Sequence, residues 1–319
     1  MALMTSAPTA PTPHVEGSSR IRRTPLDRLR ERGAVSLFLL PIAAVLVLLY
    51  LIPLAQSAYY SFTDYDGYSA NAHFVGLRNY RTAFTDSSMF GSLTFTMVYA
   101  VTTTLVITVL AIPLAVVLNR RFVGRNFVRS VFFFPAVPSV AILGLVWTFI
   151  LNPLGSGVVN SVLHSIAGIG PVPWLSNDQL AQLSVVGVAV WAGTGWHALL
   201  YLAYLQSIPA EYYEAATVDG ASSAQMFRSI TLPLLTPAMT VSTLLLLTGG
   251  LKVYDLPFTL TKGGPGFATR TITQSIIENG IAQARVGQAS ALAMLFLIVV
   301  GLVVLAQLFI ARRLEGRYS

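Results

Sequence analysis

The sequence contains no cysteine, which removes disulfides, thiol nucleophiles, thiolate zinc sites and cysteine-ligated clusters from the chemistry open to this chain. Charge is scarce as well. Asp, Glu, Lys and Arg make up 10% of the 319 residues, where a soluble domain carries about a quarter. Lysine occurs only at Lys252, before Val253, and at Lys262, before Gly263. A phosphate-binding loop needs lysine followed by Ser or Thr, so this chain has no nucleotide site of that kind. With 54% hydrophobic residues, the chain as a whole is built for lipid.

Six stretches free of Asp, Glu, Lys and Arg approach or exceed the ~20 residues that cross a bilayer core. They are Ala34–Gln56, Ser92–Leu118, Val131–Leu151, Leu183–Leu205, Leu234–Leu251 and Ala289–Ala311. Apolar runs this long lack the alternation of barrel strands, so the fold class is an all-α integral membrane protein with six transmembrane helices. Span one is longer than a signal-peptide core and follows a 33-residue leader, and it reads as a retained helix. The leader, residues 1–33, is polar, basic and proline-bearing, and is expected to be disordered; residues 34–315 form the six-helix membrane domain and 316–319 a short tail.

The formal net charge of +7 raises nucleic acid as a partner, but the arginines sit beside span ends. With the N-terminus inside, fourteen basic residues fall on the cytoplasmic side and six on the other. Among the fourteen are Arg20, Arg22, Arg23, Arg28, Arg30, Arg32, Arg120, Arg121, Arg125 and Arg129. Arg228, Arg312, Arg313 and Arg317 complete them. That bias places both termini in the cytoplasm and accounts for the charge without nucleic acid.

Within the spans the ionisable side chains are His197 and a few tyrosines. A carrier driven by protons or sodium commonly holds carboxylates in its bundle, and a membrane enzyme needs clustered polar groups at depth. Neither pattern is present. No catalytic residue, metal site or cofactor is expected, and if ATP drives this protein, another subunit binds it.

Between spans four and five, Ser207 to Pro233 reads as a helix–turn–helix at the membrane surface. Pro209 suits a first helical turn, and Glu211 and Glu214 complement the positive end of the helix dipole. Gly220 is placed to break the helix in a left-handed conformation, and Ser222 to cap a second helix with Phe227 and Ile230 on its apolar face. Pro233 is expected to end that helix near span five. Ala215 and Ala216 offer a small-residue face to another protein.

Glu214-Ala215-Ala216, Asp219-Gly220-Ala221, Phe227, Ile230 and Leu232-Pro233 resemble the EAA loop of binding-protein-dependent ABC permeases. Phe74-Val-Gly-Leu-Arg-Asn-Tyr80, the segment Gly155 to Leu163 and Thr261-Lys-Gly-Gly-Pro265 are similar, in order, to the outer motifs of the sugar-type, maltose-permease-like class in its six-helix form. The resemblance spans about residues 34 to 315. It implies a type I importer fold in the bacterial cytoplasmic membrane. It also implies a second permease subunit forming a heterodimer, two ATP-binding subunits and an extracytoplasmic solute-binding protein. In that family the loop docks on the ATPase and transmits its closure, a role that passes here to the matching residues.

By the same resemblance, Trp191-Ala-Gly-Thr-Gly-Trp-His197 lines up with the substrate-lining helix. Trp191, Gly193, Trp196, Gly250 and Tyr254 are therefore candidates for the solute pathway. Indole faces suit sugar rings, yet small residues equally serve helix packing. His197 reads as a hydrogen-bonded interior residue, and Lys252 and Asp255 as side chains snorkelling at a span end. The family's asparagine-rich pattern in span five is missing from Thr248 to Asp255, which argues against maltose itself. Glycerol phosphate, a polyol or an oligopeptide remain alternative solutes, and a secondary carrier an alternative class.

Overall fold

The computed structural model describes residues 39–69 and 71–315. The expected disordered leader, the start of span one and the tail with Arg317 lie outside the described residues. The chain divides into two units, Met1–Leu54 and Ala55–Ser319. Described residues of the first unit belong to helix α1, Leu39–Tyr60. Its backbone widens into a π turn over Val47–Leu51, where the Ile52 N–H reaches back to the Val47 carbonyl. Pro53 follows two residues later. Its ring would collide with the carbonyl four residues back, and the wider turn relieves that crowding.

The second unit continues with α2, Arg78–Thr85; α3, Ser87–Asn119; α4, Arg125–Phe133; α5, Val140–Ile150; and α6, Val158–Ala167. Next come α7, Asp178–Leu205, the short α8, Glu211–Val218, and α9, Ser223–Leu234. The last four are α10, Thr236–Leu251; α11, Asp255–Thr261; α12, Ile272–Ile277; and α13, Val286–Glu315.

Helices α1, α3, α7 and α13 are each long and apolar enough to cross a membrane unbroken. The third expected span differs from a straight helix. Val131–Leu151 is split between the end of α4 and α5, which meet at 97°. Pro135 tightens α4 into a 3-10 turn at Phe134–Ala136, Pro138 withholds an N–H, and extended Ser139 caps α5 afresh. Span five, expected over Leu234–Leu251, is α10, Thr236–Leu251, and the hairpin arm α9 meets it at a 64° bend. α9 ends at Leu234, one residue after Pro233, as expected of that proline. A π turn over Phe227–Thr231 precedes Pro233, and Pro237 sits in the first turn of α10. Among the described residues, four unbroken helices and two bent pairs give six crossings if each pair crosses once.

The core lies where α3, α7 and α10 meet. Ala111, Ala115, Ala198 and Ala238 let the backbones approach, and Tyr201, Leu118 and Leu235 fill the space between. α3 is fixed at its start by Asp86. Its carboxylate accepts from the Ser88 and Met89 N–H groups at 2.8 and 3.2 Å. The Ser88 hydroxyl bond chiefly holds the Asp86 pKa below the usual carboxylate value. Asp86→Ala should cost about 1 kcal/mol in thermal unfolding. Because the folded pKa is lowered, the stabilisation is complete above the ordinary carboxylate pKa and fades as pH falls through the lowered one. A wild-type unfolding curve for the variant at neutral pH would contradict the capping role.

Candidate functional site

The α8–α9 hairpin is assembled by local signals. Glu211 and Glu214 occupy the first turn of α8. At its end Gly220 takes φ +75°, and the Ala221 N–H returns to the Ala216 carbonyl at 2.9 Å, closing the helix with a left-handed cap. Ser222 and Gln225 then form a reciprocal capping box that starts α9. Tyr213 and Thr231 hydroxyls, 3.1 Å apart, tie the two arms together. Phe227 packs into the α3–α7–α10 core, and Ile230 is half-buried. Pro233 lies in the last turn of α9.

The outer face of the hairpin is open. Glu214, Ala215, Asp219 and Gly220 are exposed, Ala216 and Ala221 partly so, and Val218 is 87% exposed. A Cβ added to Gly220 would meet nothing within 4 Å. Behind this face a cavity of about 570 Å³ separates the hairpin from the ends of α3 and α7, lined by residues such as Val117, Arg120, Leu205 and Phe227. The hairpin is thus a rigid, acidic, small-residue knob joined directly to two long helices, α7 before it and α10 after it.

The candidate pathway residues sit in different surroundings. Trp191 and Trp196 are each 43% exposed, and Trp191 meets Trp147 of α5 edge to face at 5.3 Å. Gly193 faces Ile107 of α3, and a Cβ on Gly250 would press on Ala100 at 2.9 Å. These two glycines permit close helix contacts. Tyr254 stacks on Phe258 at 5.0 Å. His197 hydrogen-bonds Ser242 through Nδ1 at 2.8 Å, joining α7 to α10. Lys252 and Asp255 are exposed where α10 gives way to α11.

At the end of the bundle away from the hairpin, three buried amides organise the loops. Asn79 donates to the Ser61 and Thr63 carbonyls. Asn160 donates to the Asn152 and Val172 carbonyls and accepts from the Val172 N–H and the Trp174 indole. Gln274 donates to the Lys262 carbonyl and Glu278, whose carboxylate also pairs with Arg270. Sequence reasoning assigned none of them. Asn79 and Asn160 lie inside the quoted outer motifs, where a single amide among apolar and small residues was the available signal.

Residues 107–316 match the family described as binding-protein-dependent transport system inner membrane component. The chain is 32% identical over 279 residues to the probable starch degradation products transport system permease protein AmyD of Thermoanaerobacterium thermosulfurigenes, covering 88% of this chain and 94% of that one. It is 33% identical over 274 residues to the multiple sugar-binding transport system permease protein MsmF of Streptococcus mutans, covering 84% and 92%. In fold it is similar to a chain from the crystal structure of a bacterial ABC transporter involved in the import of the acidic polysaccharide alginate. There the TM-score is 0.78 at 23% identity, over 90% of this chain and 98% of that chain.

Proposed function

The chain belongs to the family of binding-protein-dependent transport system inner membrane components, and from that premise we propose that it forms half of the translocation pathway of an ATP-driven importer for a sugar or sugar-like solute. The other half is a second permease subunit, energy comes from two separate ATP-binding subunits, and a solute-binding protein delivers the cargo. The observation that carries the coupling part of this reading is the exposed hairpin centred on Gly220, placed between two core helices. Glu214, Ala215, Ala216, Asp219, Gly220 and Ala221 present the docking surface. Phe227, Ile230 and Pro233 hold it against the bundle.

The basic bias supports a cytoplasmic hairpin and cytoplasmic termini. Reporter fusions at Arg317 and near Asn160 should then read opposite sides of the membrane, with the hairpin on the Arg317 side. Same-side readings would overturn the orientation and the coupling role together.

Trp191 and Trp196 are equally exposed; Trp191 is engaged from another helix by Trp147, whereas the ring partner of Trp196 is its own neighbour His197, which leaves Trp196 the indole to test for solute contact. Trp196→Ala should lower uptake by an amount equivalent to roughly 1–3 kcal/mol of lost stacking and burial, with assembly retained. Normal uptake kinetics in a correctly inserted variant would make Trp196 a lipid- or partner-facing residue.

A further inference from the structure

We propose that the cavity between α9, α10 and α13 is a solute site at the hairpin end of the translocation pathway, one that takes a hydroxyl-rich molecule such as a saccharide. The cavity holds about 440 Å³. It is lined by residues such as Arg228 and Pro233 of α9, Thr240 and Thr243 of α10, and Gln307 and Ile310 of α13. Small-molecule sites have this size, and a largely apolar wall broken by a few polar groups. Thr243 lies seven residues into α10, and Gln307 eight residues before the end of α13. The cavity therefore reaches about 10 Å into the bundle from its hairpin end. Polar side chains at that depth of a span face the bundle interior or a water-filled cavity.

Two helix faces set the polarity of the cavity. At roughly 100° per residue, Thr236, Thr240 and Thr243 share one side of α10, and Gln307 lies opposite Leu302, Leu305 and Phe309 on α13. Those three side chains are 61%, 65% and 57% exposed and make the outer, apolar face of α13. Gln307 thus turns away from the lipid-compatible side. Its Nε2 donates to the Thr243 hydroxyl at 3.0 Å, and that hydroxyl donates in turn to the Met239 carbonyl at 2.7 Å. With its proton engaged there, the Thr243 hydroxyl can only accept from Gln307, which fixes the amide with its N–H toward α10. The Gln307 Oε1 is left buried and without a partner. Hydrocarbon offers it no donor, whereas a solute hydroxyl does. Leu232, Pro233, Met239 and Ile310, which also line the cavity, then meet the C–H faces of a sugar ring.

The inference rests on reading the chain as an importer permease for a sugar-like solute, but its test measures neither transport nor ATP hydrolysis. Failure here therefore leaves that reading standing. The assembled importer is held in nanodiscs, which leave both faces open, with Thr240→Cys as the sole thiol of this chain. A charged methanethiosulfonate attacks the thiolate and so needs water around the sulfur. Thr240→Cys should react on the order of tenfold faster than Leu305→Cys, placed on the outer face of α13. A mixture of neutral mono-, di- and trisaccharides should slow the Thr240→Cys reaction about twofold once half the sites are filled. Adding Gln307→Leu should abolish that protection, and Gln307→Glu, which keeps an acceptor, should retain it. Equal rates at Thr240→Cys and Leu305→Cys would overturn the proposal and assign the cavity to lipid. A fast reaction that saccharides leave unchanged would also overturn it, leaving a water-filled cleft without solute. So would protection that survives Gln307→Leu.

Discussion

Gly220→Val should yield a subunit that inserts normally and no longer couples ATP hydrolysis to uptake. The backbone at Gly220 has φ +75°, and a β-branched residue there costs about 1–2 kcal/mol. No neighbouring atom lies within 4 Å of an added Cβ, so the strain comes from the backbone alone. The chain can relieve it by unwinding the cap between Ala216 and Ala221, which displaces the exposed Glu214–Ala215 face from its register with α9. Gly220→Asn should be far milder, since asparagine tolerates the left-handed region. Gly220→Ala should fall between them. The measurements are solute uptake in cells and ATPase stimulation by the loaded binding protein in the reconstituted complex. Wild-type values for the valine variant in both assays would reduce the hairpin to a connector.

Asn160→Ala should be strongly destabilising. Its side chain is 2% exposed and makes four hydrogen bonds, to the Asn152 and Val172 carbonyls, the Val172 N–H and the Trp174 indole. Truncation orphans several buried polar groups at once, each worth about 1–3 kcal/mol when left unsatisfied, for a total of about 3 kcal/mol after partial access of water. The loss should show as a lower unfolding temperature and as faster proteolysis between Asn152 and Asn177. Unchanged protection of that segment would mean that the loop is held by α6 and the apolar contacts of Trp174 alone.

The six apolar runs and the hairpin could be read in the sequence because their signals are local. An uncharged run of about twenty residues, or a Gly220–Ser222 break between two amphipathic stretches, keeps its meaning whatever packs around it. The bends could not be read in the same way. Val131–Leu151 is apolar on both sides of Pro138, so composition cannot reveal that the chain turns through 97° there. A proline is not always a stop: a π turn two residues ahead lets α1 run past Pro53 to Tyr60, whereas α9 ends one residue after Pro233.

The pathway residues were ambiguous for a physical reason. Glycine beside tryptophan serves close packing as well as an open lane. Only the positions of Ile107 and Ala100 assign Gly193 and Gly250 to helix contacts. The amide nodes at Asn79, Asn160 and Gln274 depend on carbonyls that the fold brings to them, in the case of Asn79 from sixteen and eighteen residues away.

The absence of cysteine allows one direct test of the central claim, that the α8–α9 hairpin takes the energy for transport from a separate ATPase. Ala215→Cys places the chain's sole thiol on the exposed face of α8 without adding bulk. In native membranes carrying the assembled importer, a short thiol-directed cross-linker at this position should join the chain to an ATP-binding subunit, with a yield that changes when ATP is trapped. A thiol that is labelled freely from the cytoplasm in this variant, and cross-links to no ATP-binding subunit with or without nucleotide, would contradict the account.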